Sequence, residues 1–359
     1  MGKNKKIKKI LLVSPPRTYL KGREGKRAYP PLGLAYIAAT LRKEYEVHIL
    51  DTIVDGFDCE EYVGRGLFRY GLAYKEIENK LKSFKPDLLG VSCLQFMQYK
   101  EALAICSLAK NIDRELVTVM GGIYPTVMPE AVLESGYVDF IVMGEGENSF
   151  LRLVDSISLG RPFSLLPGIG YKNKEGGIKL NRARPNIADL DSLPFPARNL
   201  LPIFKYCKLN PRPFGGRDCL NVPFTPIITS RGCSSRCAFC SSGAFWAGGI
   251  RMHSVERVLE EMGSLVRAGF KEIHFFDDNL TFDQSRAGKI FDGIIKRGFG
   301  ISWYAVSGLA LSTLTDNLLV KMRRSGCYRI GLPIESASKL ILRRMRKPLG
   351  YRNLAELVS

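Results

Sequence analysis

The sequence lacks the features that mark membrane, secreted and repetitive proteins. It has no apolar run near the ~18–20 residues needed to cross a bilayer, and the opening stretch MGKNKKIKKILLVSPP has too short an apolar part for a signal peptide. It contains no repeat of fixed period and no low-complexity tract. These absences predict a soluble, cytoplasmic protein without a transmembrane segment.

The cysteines lack the pattern of a disulfide framework. There are nine, an odd number, and they are unevenly spaced. In a reducing cytosol such residues are buried thiols or metal ligands. Cys93, Cys106 and Cys327 lie in apolar strand-like or helix-like segments and are predicted core residues, while the roles of Cys207 and Cys219 stay open.

Acidic residues are fewer than basic ones. With 53 Lys and Arg against 35 Asp and Glu, the formal net charge is +18, which favours an anionic partner such as nucleic acid, a phosphorylated substrate or a membrane surface. The excess is spread along the chain apart from residues 3–9 and 342–347. Spread charge is more typical of a solvated surface than of a binding stripe, so the charge alone assigns no partner.

The order of apolar segments predicts two α/β domains in the 359 residues. Residues 1–155 alternate buried-type strands with helices, as in a doubly wound, Rossmann-like parallel sheet. In one of these helices Leu34, Ile37, Ala38 and Leu41 fall on one face. No G-x-G-x-x-G follows the first strand, which disfavours a dinucleotide. The ligand of such a sheet binds at the carboxyl ends of its strands, here Asp51, Ser92, Gly121–Gly122 and Gly144–Glu147.

The second half of the chain has a different pattern. Residues 156–221 are rich in proline and glycine and are predicted to be a linker with short strands. Alternation resumes in residues 222–359, which contain four strand–helix units. Such a series predicts a partial TIM-type (β/α) barrel with its chemistry at the carboxyl ends of the strands.

Three cysteines follow the first barrel strand. The stretch RGCSSRCAFCSS, residues 231–242, places Cys233, Cys237 and Cys240 in a C-x3-C-x2-C pattern before a helix. A structural zinc site needs four ligands, and the candidates for a fourth lack the paired spacing of zinc sites: His253, Cys219 and Cys207. A cubane cluster has four irons, so three cysteines leave one iron open. The loop is therefore predicted to bind an iron–sulfur cluster.

CSSRCAFC resembles the C-x3-C-x-aromatic-C motif of the radical S-adenosylmethionine (SAM) enzymes, which lies on the first strand–helix loop of a partial TIM barrel. The resemblance implies a [4Fe-4S] cluster on Cys233, Cys237 and Cys240, with the amino and carboxylate groups of SAM on the fourth iron. The reduced cluster then cleaves SAM to a 5′-deoxyadenosyl radical. That family's barrel has six strand–helix units, so four units imply that the barrel is truncated at the C-terminus or completed by another chain.

The same resemblance assigns contacts to SAM. It implies that Phe239 shields the cluster and helps seat the adenine, that Asp277 or Asp278 binds the SAM ammonium, and that Glu335 makes a polar contact. The two aspartates could instead cap the next helix, but Asp283 is better placed to do so. Glu335 could also be an ordinary surface residue at the end of its strand.

The N-terminal half resembles the cobalamin-binding domain of cobalamin-dependent radical SAM enzymes. The segments that carry the resemblance are PPLGLAYIAATLR, PDLLGVSCL, VMGGIYPTVMPE, VDFIVMGEGENSF and LDSLPFPARNLL. It implies cobalamin contacts from Ser92, Leu94, Gly121, Gly122, Tyr124, Thr126, Gly144 and Glu145. The residues themselves fit a large flat cofactor, because glycine lets the backbone approach closely and Ser92 offers a hydroxyl in the crevice. The sheet alone could equally hold a nucleotide.

One position departs from the cobalamin proteins that carry D-x-H-x-x-G, whose histidine ligates cobalt. Here DTIVDG keeps Asp51 and Gly56 but has Ile53 at the histidine position. Because isoleucine has no donor atom, we expect cobalamin to bind without a histidine ligand from this loop. His48 follows the pattern of a strand interior and is expected to be structural.

Together the two resemblances imply a cobalamin-dependent radical SAM enzyme that methylates an unactivated carbon through methylcobalamin, with catalytic residues unassigned. The alternatives are a cyclase or rearrangement enzyme of the same architecture, and a non-catalytic cobalamin- and cluster-binding sensor or subunit. A tRNA-modifying enzyme is disfavoured because Cys59, Cys93 and Cys106 lack cluster-like spacing. The expected partners are a small-molecule or lipid-linked substrate of anionic character and a reductant such as flavodoxin or ferredoxin; nucleic acid is not expected.

Overall fold

The structure is a computed structural model that describes residues 6–22, 25–183, 186–209, 219–246 and 249–348. The chain divides into two compact units, the first formed by residues 1–187 and 193–210 and the second by residues 188–192 and 211–359. Within the described ranges, no helix combines the length and the apolar character needed to cross a bilayer.

The first unit is built on one large sheet. Its described strands are β1 Lys9–Ser14, β2 Arg17–Leu20, β3 Glu46–Asp51, β4 Glu60–Gly64, β5 Leu67–Tyr70, β6 Leu88–Ser92, β7 Val117–Gly121, β8 Phe140–Val142, β9 Ile169–Lys172 and β10 Ile178–Leu180. The sheet order is β10-β9-β8-β7-β6-β1-β3. The strands from β8 to β3 are parallel, whereas β9 and β10 pair antiparallel at one edge.

Helices cover both faces of this sheet. Those described are α1 Leu32–Leu41, α2 Thr52–Asp55, α3 Tyr74–Phe84, α4 Tyr99–Ile112, α5 Ile123–Val127, α6 Pro129–Glu134, α7 Gly146–Leu159 and α8 Ile203–Leu209. In β1, Ile10 and Leu12 join the core under α1 and α7, while Leu11 and Val13 join the core under α3 and α4. A strand buried on both faces is typical of a doubly wound sheet, which confirms the predicted fold class.

Burial confirms two sets of core predictions and corrects a third. Helix α1 buries Leu34, Ala38 and Leu41, and Ile37 is half-buried. The thiols predicted to be core are buried too: Cys93, Cys106 and Cys327. The expectation for His48 as an interior residue is wrong, because its side chain is 57% exposed beside Glu46 on the edge strand β3.

Two groups of short strands fall outside the predicted alternation. Strands β2, β5 and β4 form a separate antiparallel sheet. Strands β9 and β10 come from the segment predicted as a linker and extend the main sheet. Each of these strands has three to five residues, which is too short for a hydrophobic period to show.

The second unit contains the predicted series of strand–helix units. Its described strands are β11 Phe224–Ile227, β12 Ser230–Arg231, β13 Arg251–Met252, β14 Glu272–Phe275, β15 Ser302–Ala305 and β16 Cys327–Arg329, and its helices are α9 Ser242–Trp246, α10 Val255–Arg267, α11 Gln284–Lys296, α12 Asp316–Arg324 and α13 Lys339–Arg344. Strands β11, β14, β15 and β16 are parallel and adjacent in chain order. This arrangement confirms the predicted partial barrel.

Side chains at the helix N-termini satisfy backbone N–H groups that the helices leave without partners. Four helices of the second unit begin with such a cap: Ser254, Asp283, Thr315 and Ser338. Asp283 caps α11 by accepting a hydrogen bond from the Arg286 N–H. The prediction that Asp283, and not the preceding aspartates, caps this helix is confirmed.

Candidate functional site

The three cysteines line one cavity of about 240 Å³ in the second unit. The other walls come from the segments that follow β14, β15 and β16, so the cavity lies at the carboxyl ends of the barrel strands. Its lining includes Phe239, Asp278, Ser307, Gly308, Glu335 and Lys347. This is the edge of the sheet at which barrel enzymes place their active sites.

Backbone contacts join the two ends of the cysteine loop, which we call its neck. Strand β12 enters the loop and pairs antiparallel with β13, which leaves it. Gly232 has φ +93°, and a Cβ at this position would lie 2.3 Å from the Gly249 carbonyl oxygen. Only glycine fits there, because both the left-handed backbone and the close approach exclude a side chain.

The thiols of this loop are free, with Cys233 and Cys237 half-buried and Cys240 exposed. Burial raises the pKa of the Cys237 thiol, and the nearby Lys347 charge opposes that shift. Among the residues that the structure describes, the lining of the cavity includes no fourth cysteine and no histidine. Three sulfur donors around one cavity fit a [4Fe-4S] cluster with one open iron and do not fit a closed four-ligand zinc site.

The structure separates the two adjacent aspartates that were predicted as alternatives. Asp277 is 1% exposed and accepts hydrogen bonds from the Thr229 hydroxyl at 2.7 Å and the Ser230 hydroxyl at 2.6 Å. Burial raises its pKa, against the effect of these hydrogen bonds. Asp278 lines the cavity and accepts a hydrogen bond from the Ser242 hydroxyl at 3.0 Å. Asp278 is therefore the aspartate within reach of a ligand, while Asp277 ties β14 to the segment before the cysteines.

Phe239 and Glu335, which were predicted to contact SAM, both line the three-cysteine cavity. The Phe239 ring lines the cavity and is 55% exposed. Glu335 also lines it, has a left-handed backbone at φ +65°, and accepts a hydrogen bond from Lys347 Nζ at 3.3 Å. Both side chains can therefore contact a ligand bound at the cysteine loop.

Sequence reasoning missed several residues that build this site. Arg286 donates from Nη2 to the Thr229 carbonyl oxygen and from Nε to the His253 carbonyl oxygen, both at 2.9 Å. It thereby fixes the backbone on either side of the cysteine loop. Ser307 and Lys347 line the cavity as well. The position of Ser307 directly after a barrel strand was the available signal, whereas Arg286 and Lys347 carry no motif.

The alternative zinc ligands have other places in the structure. His253 is buried, and its Nδ1 lies 2.9 Å from Asp191 Oδ1. Cys207 belongs to α8 of the first unit. Cys219, Glu272 and His274 have donor atoms within 4.8 Å of one another, but none of them lines the cavity with the cysteines.

In this Cys219–Glu272–His274 group, the Glu272 carboxylate is occupied by hydrogen bonds. The fully buried Glu272 carboxylate accepts from the Asn221 N–H at 2.7 Å, the Tyr328 hydroxyl at 2.7 Å and the Ser302 hydroxyl at 3.0 Å, and it lies 2.7 Å from His274 Nε2. Burial raises its pKa, but these partners outweigh that effect and the pKa is lowered. Glu272 and Ser302 begin their strands, so the network joins the amino ends of the barrel.

In the first unit, the residues predicted to contact cobalamin gather at the carboxyl ends of β6, β7 and β8. Gly122 has φ +111°, and a Cβ there would lie 2.6 Å from the Cys93 carbonyl oxygen. The Thr126 hydroxyl donates to the Gly122 carbonyl oxygen at 2.7 Å and accepts from the Gly144 N–H at 2.9 Å. These contacts bring the segments after β7 and β8 together.

The remaining predicted residues differ in their access to a ligand. Ser92 and Gly121 are half-buried, and Tyr124 stacks on Tyr99 with ring centroids 4.2 Å apart. Glu145 is 6% exposed and accepts a hydrogen bond from the Ile187 N–H at 2.9 Å. Thr126 and Glu145 therefore fix the backbone at this edge of the sheet, while Ser92 and Gly121 remain accessible to a ligand bound there.

Exposed apolar side chains surround this edge of the first sheet. They follow β6 and β7 and are 39–51% exposed: Leu94, Phe96, Met97, Val127 and Met128. A Cβ placed on Gly121 would meet no atom closer than 3.8 Å, so the backbone is open there. An apolar rim around an open backbone suits a large flat cofactor, and the residues present fit cobalamin.

The loop after β3 contains no histidine that could bind cobalt. Asp51 caps α2 and accepts a hydrogen bond from the Tyr206 hydroxyl at 2.7 Å, and burial raises its pKa to about 6. Ile53 is buried and has no donor atom. The chain has three histidines; two lie in the second unit, and His48 lies on the edge strand.

Two family models match the chain in the order of its two units. Residues 23–154 match the B12 binding domain, and residues 227–358 match the Radical SAM superfamily. The two matched ranges contain the exposed apolar edge and the three-cysteine cavity, respectively.

Curated relatives cover most of the chain. It is 36% identical over 339 residues to an uncharacterized methyltransferase of Pyrococcus horikoshii. The match covers 94% of this chain and 67% of that protein. It is 30% identical over 384 residues to cytidylyl-2-hydroxyethylphosphonate methyltransferase of Streptomyces wedmorensis, covering 99% and 70%. It is 27% identical over 348 residues to anaerobic magnesium-protoporphyrin IX monomethyl ester cyclase of Rubrivivax gelatinosus, covering 94% and 57%.

A solved structure shares the fold. It is the radical SAM methyltransferase TsrM of Kitasatospora setae, with cobalamin and a [4Fe-4S] cluster bound. The TM-score is 0.73 at 18% identity, and the match covers 98% of this chain and 66% of that one. The chain therefore spans 57–70% of the length of these longer proteins.

Proposed function

We propose, since the chain belongs to the family of cobalamin-dependent radical SAM enzymes, that it transfers a methyl group to an unactivated carbon. The observation that carries the proposal is the cavity in which three thiols of one loop face the carboxylates of Asp278 and Glu335. Its named methyltransferase relatives support the reaction type.

In this proposal Cys233, Cys237 and Cys240 hold the [4Fe-4S] cluster. The cluster supplies the electron for the reductive cleavage of SAM. Phe239 covers the loop and keeps water from the reacting groups. Asp278 and Glu335 provide carboxylate oxygens that accept hydrogen bonds from the amino group of SAM, because a charged acceptor strengthens such a hydrogen bond.

The carboxyl edge of the first sheet holds cobalamin in the same proposal, and cobalamin supplies the methyl group. Ser92 and Gly121 face the cofactor, with Leu94 and Tyr124 forming its apolar border. Gly122, Thr126, Gly144 and Glu145 act by fixing the backbone of this edge. The loop at residues 51–56 has Ile53 at the histidine position of the D-x-H-x-x-G pattern, so it would offer cobalt no histidine ligand.

The proposed substrate is a small or lipid-linked molecule of anionic character. The net charge of +18 supports this choice, and so does the phosphonate in the name of one relative. A one-electron reductant of the flavodoxin or ferredoxin class would reduce the cluster.

Anaerobic reconstitution of the full chain tests the proposal. We expect iron and sulfide to bind, and 5′-deoxyadenosine to form from SAM after reduction. Single Cys→Ala changes at 233, 237 or 240 should remove the iron, whereas Cys59→Ala, which removes an exposed thiol outside the loop, should not. Zinc in place of iron and sulfide would overturn the assignment.

A second candidate is a cyclase, because cyclases are among the relatives that cover 94% of the chain. SAM labelled in its methyl group distinguishes the two functions. A methyltransferase places the label in the product, whereas a cyclase releases 5′-deoxyadenosine with an unlabelled product. If no 5′-deoxyadenosine forms from reduced protein, the result favours the non-catalytic binding subunit.

A further inference from the structure

Lys347 is the one lysine or arginine among the described residues that line the three-cysteine cavity. Its Nζ lies 3.3 Å from Glu335 Oε1 and 6.0 Å from the centroid of the Phe239 ring. Its side chain is only 20% exposed. The positive charge is thus held inside the cavity by a carboxylate and an aromatic face and is only partly screened by solvent.

The backbone around Lys347 is fixed by three hydrogen bonds. At the end of α13, the Lys347 N–H donates to the Leu342 carbonyl oxygen at 2.9 Å and the Arg346 N–H donates to the Arg343 carbonyl oxygen at 3.0 Å. These are the two bonds of a Schellman motif. The Ala238 N–H donates to the Met345 carbonyl oxygen at 2.9 Å, which joins the turn to the cysteine loop.

Two residues beside Lys347 have an unfavourable backbone. Four non-glycine residues in the described chain have positive φ: Arg65, Lys85, Glu335 and Arg346. Arg346, at +53°, occupies the Schellman position that glycine normally takes. Glu335 is the partner of Lys347, and Arg346 precedes it. Strained backbone of this kind persists where the surrounding structure fixes it, and it concentrates at functional sites.

We propose that the positive charge of Lys347 raises the reduction potential of the cluster on Cys233, Cys237 and Cys240. The inference rests on the cluster binding proposed above. Reduction adds one negative charge to the cluster, and a fixed cation nearby stabilises the more negative state. The Glu335 carboxylate has the opposite effect and lowers the potential. The pair would therefore set the driving force for reducing the cluster.

A redox titration of the reconstituted full chain, followed by electron paramagnetic resonance without SAM, measures this effect. Lys347→Gln should lower the ratio of reduced to oxidised cluster at a fixed potential about tenfold, which is a shift of about 59 mV to a more negative midpoint for a one-electron couple. Lys347→Arg keeps the charge and should retain the midpoint. The matched control is Lys339→Gln, which removes an exposed cation at the first residue of α13 that does not line the cavity.

Glu335→Gln provides an independent test with Lys347 intact, and its midpoint should move to a more positive value. The inference is overturned if Lys347→Gln assembles the cluster with an unchanged midpoint, or if Lys347→Arg shifts it as far as the glutamine. If Lys347→Gln holds no iron, the Glu335→Gln variant tests the inference instead: a more positive midpoint supports it, and an unchanged or more negative midpoint overturns it. Failure of the unsubstituted chain to bind iron and sulfide would overturn the proposed function itself, which is a different outcome.

Discussion

The two units use the same edge of a parallel sheet in opposite ways. At the carboxyl ends of β6 and β7, the first unit presents glycine backbone and exposed apolar side chains. At the carboxyl ends of its own strands, the second unit presents thiols, carboxylates and a lysine. Sheet topology therefore sets where a ligand binds, and the residues that follow each strand set what kind of ligand it is.

Each unit also buries one aspartate at this edge, and the two differ in their partners. Asp51 accepts a hydrogen bond from the Tyr206 hydroxyl, whereas Asp277 accepts from Thr229 and Ser230 and is close to the Arg286 charge. The first arrangement anchors α8 to the sheet, and the second anchors the segment before the cysteines. Buried carboxylates thus hold the loops in both units, while exposed groups face the ligands.

The largest effect is expected from removing a cysteine of the loop, which should change the activity of the second unit but not cofactor binding in the first. Cys237→Ala should lower 5′-deoxyadenosine formation by more than about 100-fold, because loss of a ligand exceeds the cost of losing its supporting contacts. Cobalamin absorbance of the same protein should not change, since no cysteine of the loop belongs to the first unit. Loss of both signals would contradict the independence of the two sites.

The pH dependence of stability should report on the first unit. Because the pKa of Asp51 is raised from 3.8 to about 6, the folded protein binds this proton more tightly than the unfolded chain does. Its contribution is complete below about pH 4 and is lost as the pH rises to about 6, a change of about 3 kcal/mol. Urea denaturation at pH 4 and pH 7 should show a smaller difference for Asp51→Asn but not for Asp58→Asn, which changes an exposed residue. An equal difference in all three proteins would contradict this assignment.

A glycine substitution tests the backbone of the first site. Gly122→Ala should reduce the free energy of unfolding by about 1–3 kcal/mol and weaken cobalamin binding, because its Cβ would lie 2.6 Å from the Cys93 carbonyl oxygen. Chemical denaturation and cobalamin titration measure the two effects. Gly33→Ala is the control, since a Cβ there meets nothing within 4 Å. Cobalamin binding that survives Gly122→Ala unchanged would place the cofactor elsewhere.

A smaller effect, on SAM affinity, is expected from replacing the Asp278 carboxylate in the three-cysteine cavity. Asp278→Asn should weaken SAM binding about tenfold, which corresponds to ~1.4 kcal/mol, because a neutral amide is a weaker hydrogen-bond acceptor than a carboxylate for the SAM amino group. Equilibrium dialysis with the reconstituted protein measures this change. Asp292→Asn removes an exposed carboxylate on α11 that does not line the cavity, and its affinity should stay unchanged. Equal affinities in both variants would remove Asp278 from the site.

Local patterns were sufficient to predict the parallel strands and the main helices of both units, but not the short strands β2, β4, β5, β9 and β10. The alternation of apolar strands with helices indicated the doubly wound sheet, and the spacing of Cys233, Cys237 and Cys240 indicated the loop that lines the cavity. Asp283 was identified as a cap because it directly precedes a helix. In each case the relevant residues are neighbours along the chain, so their physical role is visible in a short window.

Contacts between distant segments were not predictable in this way. The Ala238 N–H reaches the Met345 carbonyl oxygen across more than 100 residues, and no periodicity marks either residue. The left-handed backbone of Arg346 is equally hidden, since arginine rarely takes the place of glycine. The difference between Asp277 and Asp278 depends on which side chain turns towards Thr229, which the tertiary structure decides. These contacts place Lys347 in the cavity and remove Asp277 from it.

The closed neck of the cysteine loop bears on how the holoprotein matures. The β12–β13 pair and the close fit of Gly232 are backbone contacts that need no cysteine side chain. In a zinc finger, by contrast, the metal itself drives folding. We therefore expect single Cys→Ala variants of this loop to keep the fold of the second unit while they lose iron, which circular dichroism of the purified variants would show.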